Sequence, residues 1–166
     1  MGNPRAGRSQ ISSETLITSF HYAWLGLRIC WLTQRNFRIH VCLAWGVLGL
    51  SCLLPVSTTK VLVIFLVVAL VLLAELFNTA LEWLLDCLIP EYSPLVGHIK
   101  DVAAAGVLVT ALAAAVVGLG VFGPLLLDLP VHLRPSLAAY PWFVGVYGLA
   151  TLLLVVASFL IPVQEL

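Results

Sequence analysis

Four apolar stretches divide the chain. Ile39–Val56 is interrupted by His40 and closed by Pro55, Val61–Ile89 follows, and Val102–Phe122 and Tyr140–Ile161 carry no charge. A membrane-spanning helix needs about 20 apolar residues, so the first stretch is slightly short and the others suffice. The second is the odd one. Its first fourteen residues, VLVIFLVVALVLLA, have no charge, and then Glu75, Asn78, Glu82 and Asp86 arrive with no break in the helical pattern. Its 29 residues would rise roughly 43 Å as a helix, against a hydrocarbon core of about 30 Å. The acid-bearing third is therefore expected at the membrane–water boundary.

Ahead of the first span lies SETLITSFHYAWLGLRICWLTQRNF. Leu16, Phe20, Trp24, Leu27 and Trp31 share an arc of about 80° on a helix. Ser13 is the expected N-cap and Glu14 suits the first turn. Leu25, Ile29 and Leu32 interrupt the polar face, so this helix is expected in the interface with its back partly packed on protein. Between the third and fourth spans, GPLLLDLPVHLRPSLAAYP has four prolines and reads as a connector.

Composition agrees that lipid is the main solvent. Of 166 residues, 61% are hydrophobic and 10% charged, where a water-soluble domain has about 25% charged. The net charge of zero gives no sign of nucleic-acid binding. Arg5, Arg8, Arg28, Arg35 and Arg38 precede the first span, and Lys100 follows the second. Lys60 and Arg134 fall on the other side. The positive-inside rule then places the N-terminus, the 90–101 loop and the C-terminus in the cytoplasm. Cys30, Cys42, Cys52 and Cys87 have no C-x-x-C spacing and read as small core hydrophobes.

At about 100° per residue, Glu75, Asn78, Glu82 and Asp86 occupy an arc of about 80°. Leu76, Phe77, Leu81 and Leu84 lie opposite. Burying one such charge unpaired in lipid costs several kcal/mol, and an intramembrane acid points to function. Asp86 reads equally well as a solvated helix end, and Asn78 alone as an interhelical hydrogen-bond group. Carboxylates placed this way can relay protons or bind cations, as in an ion-coupled or non-catalytic membrane protein. They can equally handle Mg²⁺ and a substrate proton at the surface, since Mg²⁺ takes one or two carboxylates plus phosphate oxygens. The following loop favours the second reading: Gly97 offers a flexible approach and Lys100 a cation for phosphate. No GxxxxGK[ST] is present, so a nucleotide site would be unlike a P-loop. His21, His40, His98 and His132 have no metal-ligand spacing. His40 reads as a residue at the interface end of its helix.

The run E-L-F-N-T-A-L-E-x-x-x-D, then E-Y, then G-x-x-K-D, together with FHYAWLGLRICWLTQRNFRIH upstream, resembles the signature of the small prokaryotic membrane diacylglycerol kinase/undecaprenol kinase family. The resemblance covers about residues 15–122, and RNFRIH is closer to the undecaprenol kinase branch. It implies an all-α integral membrane protein that forms a homotrimer, each protomer with an interfacial helix and a three-span kinase core. It also implies an ATP- and Mg²⁺-dependent lipid kinase of a bacterial inner membrane, acting on the primary hydroxyl of diacylglycerol or undecaprenol. Glu75 matches the base that takes the lipid hydroxyl proton, and Glu82 the acid that helps hold Mg²⁺ on ATP. Asn78, Lys100 and Asp101 fall where the family contacts nucleotide, with Gly97 in the same motif. Tyr22, Glu91 and Tyr92 match positions near ATP.

The chain thus divides into a polar tail (1–13), a membrane lipid kinase domain (14–123), and a connector with an additional C-terminal transmembrane helix (124–166). Two departures from the family stand out. The fourth span is extra and reads as a peripheral anchor. Gln34 stands where the family has a metal-binding Glu; it keeps an oxygen but loses the charge. Weaker Mg²⁺ binding or a shifted metal position is expected, and an inactive relative is the alternative. Gln34→Glu should lower the Mg²⁺ concentration needed for half-maximal turnover; an unchanged titration would put Gln34 away from the metal.

Overall fold

The computed structural model describes residues 16–91 and 93–163. Tyr92, Ser13, Glu14, Arg5, Arg8 and the 1–13 tail lie outside the described residues. All the regular structure described is helical: α1 (Leu16–Thr33), α2 (Arg35–Leu53), α3 (Thr58–Leu88), α4 (Pro94–Leu127), α5 (Leu129–Ala139) and α6 (Pro141–Leu160). By length and composition, α2, α3, α4 and α6 can each cross a membrane. This is an all-α membrane protein.

α1 and α2 are separated by Gln34 alone, whose backbone is extended. The break turns the chain without ending its hydrogen bonding, since the Gln34 N–H donates to the Cys30 carbonyl at 2.8 Å. On α1, Leu16, Phe20 and Trp24 are exposed while Leu25, Ile29 and Cys30 turn inward. A helix with one bare apolar face and a packed back follows from its unclean polar face.

α3 and α4 form the most extensive helix pair, and α2 packs beside α3. Ile64 of α3 and Leu54 after α2 are buried with Val121 and Phe122 of α4, and Leu129 and Leu133 of α5 close over them. This apolar cluster clamps the end of the bundle farthest from Glu82 and Asp86. The outer side of α3 stays bare, with Phe77 and Leu84 exposed, as lipid-facing residues should be.

Three expectations are corrected. Gly97, Lys100 and Asp101 are not in a loop, because α4 begins at Pro94. Proline suits the first helical turn, where its missing N–H is one of the orphan donors anyway, and Ser93 serves as N-cap. The proline-rich connector is mostly the helix α5, which also has Pro in its first turn and keeps Pro135 inside. Of the four cysteines, Cys30 is buried, but Cys52 and Cys87 are exposed on the apolar exterior.

α6 has no buried residue and lies along α2 with opposite direction. The Trp45 and Tyr147 rings stack at 5.2 Å, and Trp45 Nε1 donates to Thr151 Oγ1 at 3.0 Å. The Tyr147 hydroxyl donates to the Trp45 carbonyl. Gly49 makes room for this, since a Cβ there would meet the Tyr147 ring. At the other end Arg38, counted above among the interfacial cations, is buried. Its guanidinium donates to the carbonyls of Ser158 at 3.0 Å and Ile161 at 2.5 Å, and to Leu32 at the end of α1 at 3.3 Å. A cation on the last carbonyls of a helix is favoured by the helix dipole.

Arg38→Met should destabilise the fold by about 1–3 kcal/mol, the range for leaving buried polar groups unsatisfied. Thermal unfolding in detergent measures the loss, and hydrogen exchange should rise at residues 158–161. Unchanged exchange there would mean that Arg38 does not hold α6.

Candidate functional site

α3 runs unbroken through the four polar residues, so the stripe expected from periodicity exists on one helix. Its members differ in burial. Glu75 is 3% exposed, Asn78 and Glu82 are half-buried, and Asp86 is exposed. The order along the helix is therefore also an order from interior to surface.

Three elements meet at Glu75. From α2, His40 Nε2 comes within 3.2 Å of Glu75 Oε1, although the ring is not aligned for a hydrogen bond and Oε1 has no such partner among the described residues. From α1, Cys30 stands near Glu75 and the Thr79 hydroxyl. Burial pushes the Cys30 thiol up, the Glu75 carboxylate adds to this, and the Thr79 hydroxyl opposes it. One turn on, Asn78 Nδ2 donates to Glu82 Oε1 at 2.9 Å. This i, i+4 bond leaves Asn78 Oδ1 buried and without a partner among the described residues. Two hard oxygen donors, Asn78 Oδ1 and the Glu82 carboxylate, thus lie on one helix face.

Lys100, on the second turn of α4, donates Nζ to Asp86 Oδ1 at 2.5 Å. Asp86 is therefore not simply solvated; it ties the end of α3 to the start of α4. Glu91 is exposed at the bend between these helices, and Gly97 and Asp101 are exposed on α4. Tyr22 is 55% exposed on α1, and Gln34 sits at the α1–α2 break. Among the described residues no hydrogen bond or ion pair joins the side chains of Tyr22, Gln34, Glu91 or Asp101 to the α3 stripe. Likewise no three or more His, Cys, Asp or Glu side chains converge as a metal cage.

A cleft of about 520 Å³ runs between α2, α3 and α4. Leu43, Val47, Ile64, Val71 and Phe122 are among its walls, and His40 is the one polar side chain that lines it. The cleft thus has a single polar end, beside Glu75.

Comparison with known proteins gives the family. The profile of the family described as prokaryotic diacylglycerol kinase matches residues 21–122. The chain belongs to this family. It is 42% identical over 120 residues to a diacylglycerol kinase of Synechocystis sp., covering 72% of this chain and 69% of that one. It is 35% identical over 106 residues to an undecaprenol kinase of Bacillus subtilis, covering 64% and 86%. With a diacylglycerol kinase of Escherichia coli K12 it shares 30% over 101 residues, covering 61% and 83%. The family match takes in α2, α3, most of α4 and the greater part of α1, and it ends before α5 and α6.

Sequence reasoning missed the contact of His40 with Glu75. The available signal was that His40 is the one histidine in the first span and Glu75 the deepest acid in the second. The register between two helices, however, is not written in either. Asp86→Asn should change stability by less than about 1 kcal/mol, because the pair with Lys100 is exposed to screening. A larger loss in thermal unfolding would show that the α3–α4 turn depends on that pair.

Proposed function

We propose that this lipid kinase of the prokaryotic diacylglycerol kinase family transfers the γ-phosphate of ATP to the primary hydroxyl of a membrane lipid alcohol. Diacylglycerol and undecaprenol, each in the name of one or more of these relatives, are the two candidate substrates. The observation that carries the reading is the buried Glu75 carboxylate 3.2 Å from His40, the polar lining residue of an otherwise apolar cleft. Such a cleft suits a hydrocarbon chain, and the alcohol at its head would lie beside His40 and the Glu75 carboxylate that His40 approaches.

In this reading Glu75 takes the proton of the attacking hydroxyl. A positioned general base contributes typically 10²–10⁴-fold. Asn78 and Glu82, nearer the surface, face the nucleotide, and Lys100 serves the phosphates in exchange for its bond to Asp86. Tyr22, Glu91, Tyr92, Gly97 and Asp101 are assigned to the nucleotide by the family motif. Phosphoryl transfer asks mainly for positioning and charge neutralisation.

The donors at hand fit Mg²⁺. Asn78 Oδ1 is buried without a partner, and Glu82 adds a carboxylate. Mg²⁺ is usually held by one or two carboxylates with substrate phosphates completing the shell, so a closed protein cage is not required. Gln34 is the further candidate ligand. Bound Mg²⁺ would supply positive charge to offset that of the phosphates.

The six-to-two excess of Lys and Arg supports a cytoplasmic site and N-terminus in a bacterial inner membrane. A homotrimer, implied by the resemblance, would give the exposed faces of α4 a partner.

The test uses purified full-length protein in detergent with γ-labelled ATP, Mg²⁺ and, separately, diacylglycerol and undecaprenol. Label should enter at least one lipid. Glu75→Gln should lose about 10² or more in rate while keeping its fold and its nucleotide binding. A near wild-type rate for that variant would remove Glu75 as the base, and a wild-type protein that neither labels lipid nor binds nucleotide would overturn the reading.

A further inference from the structure

Glu75 has an unusual neighbourhood for a base. A glutamate side chain turns about three bonds, and a base must come within about 2.6–3.2 Å of the proton it takes. Something must therefore fix the carboxylate. Thr79 and Asn78, the nearest polar groups on α3, do not hydrogen-bond to it: the Asn78 amide is committed to Glu82. Cys30 from α1 stands close, yet no hydrogen bond reaches Glu75 Oε1 among the described residues. Among the described residues the group that reaches a Glu75 oxygen is the His40 imidazole, at 3.2 Å.

His40 is well placed to act on that oxygen. It lies in the second turn of α2, whose start is pinned by the backbone bond from Arg38 to the Gln34 carbonyl. The ring is partly open, with 20% of the side chain exposed, and it forms the polar end of the cleft. A small turn of the ring would align Nε2–H with Oε1.

We propose that His40 is a positioning residue for Glu75, holding the carboxylate at the head of the apolar cleft so that its free oxygen faces an incoming alcohol. The proposal rests on the lipid-kinase reading for its catalytic consequence and on the α2–α3 contact for its geometry. It explains why the sole polar group of the cleft lies against the most buried acid. It also gives α2 a part in the reaction, which the motif on α3 does not.

Kinetics and spectroscopy test it together, on the full chain in detergent micelles. His40→Leu should lower kcat at saturating lipid by about 10- to 100-fold, the scale of a misplaced reacting group. KM for ATP should stay within about twofold, because the nucleotide residues are not touched. His40→Gln, which restores an amide donor, should recover a large part of the lost kcat. In nitrogen NMR, the His40 Nε2 resonance, assigned by its loss in His40→Gln, should move when Glu75 is changed to Gln.

A kcat within about twofold of wild type in His40→Leu would overturn the proposal. So would a His40 resonance indifferent to Glu75→Gln. A wild-type protein that phosphorylates neither lipid, yet shows the shifted resonance, would uphold the pair and overturn the lipid-kinase reading instead.

Discussion

Glu75 is carried into apolar surroundings by a helix that has no charge in the fourteen residues before it, and it ends up 3% exposed. An acid in such a place is costly unless partners or water are arranged around it. That cost shapes the surrounding contacts. α2 brings His40 to its oxygen, α1 brings Cys30 alongside, and the apolar cluster at Ile64 and Phe122 fixes α3 against α4 at the far end. The polar side chains and the hydrocarbon packing occupy opposite ends of one bundle, so the charged end is held by helices whose stability is set elsewhere.

Much of this was legible because helices obey simple periodicities. The length of α3, the shared face of Glu75, Asn78, Glu82 and Asp86, and the apolar run of α6 all follow from spacing and hydropathy alone. Two of the misreadings share one physical source. Pro94, Pro130 and Pro141 look like breaks in a sequence, yet each stands in the first turn of a helix, where its fixed φ and missing N–H cost nothing. Hence Gly97 and Lys100 were expected in a loop, and α5 in a connector. Contacts between helices were out of reach for another reason. Whether Lys100 meets Asp86, or His40 meets Glu75, depends on rotation and register that no single helix encodes.

α6 lies outside the family match and touches the rest mainly through one side of α2. Its contacts are unlike those of the other spans: a ring stack, an indole bond and an arginine on its last carbonyls. Because Arg38 also reaches the Leu32 carbonyl, the added helix is fastened at the joint that carries Gln34. An element that buries none of its own residues is thus secured by a few directional bonds along its length and at its last turn.

The 31 residues of α3 make a rod of about 46 Å, longer than the hydrocarbon core of a bilayer by several turns. From Glu75 to Asp86 is a rise of roughly 16 Å, and over that distance the side chains pass from buried to exposed. One rigid piece of backbone therefore carries its polar groups on a gradient from buried to exposed. In the reaction proposed above, an oil-soluble alcohol and a water-soluble phosphate donor would each stay in its own phase, and only the transferred group would cross between them.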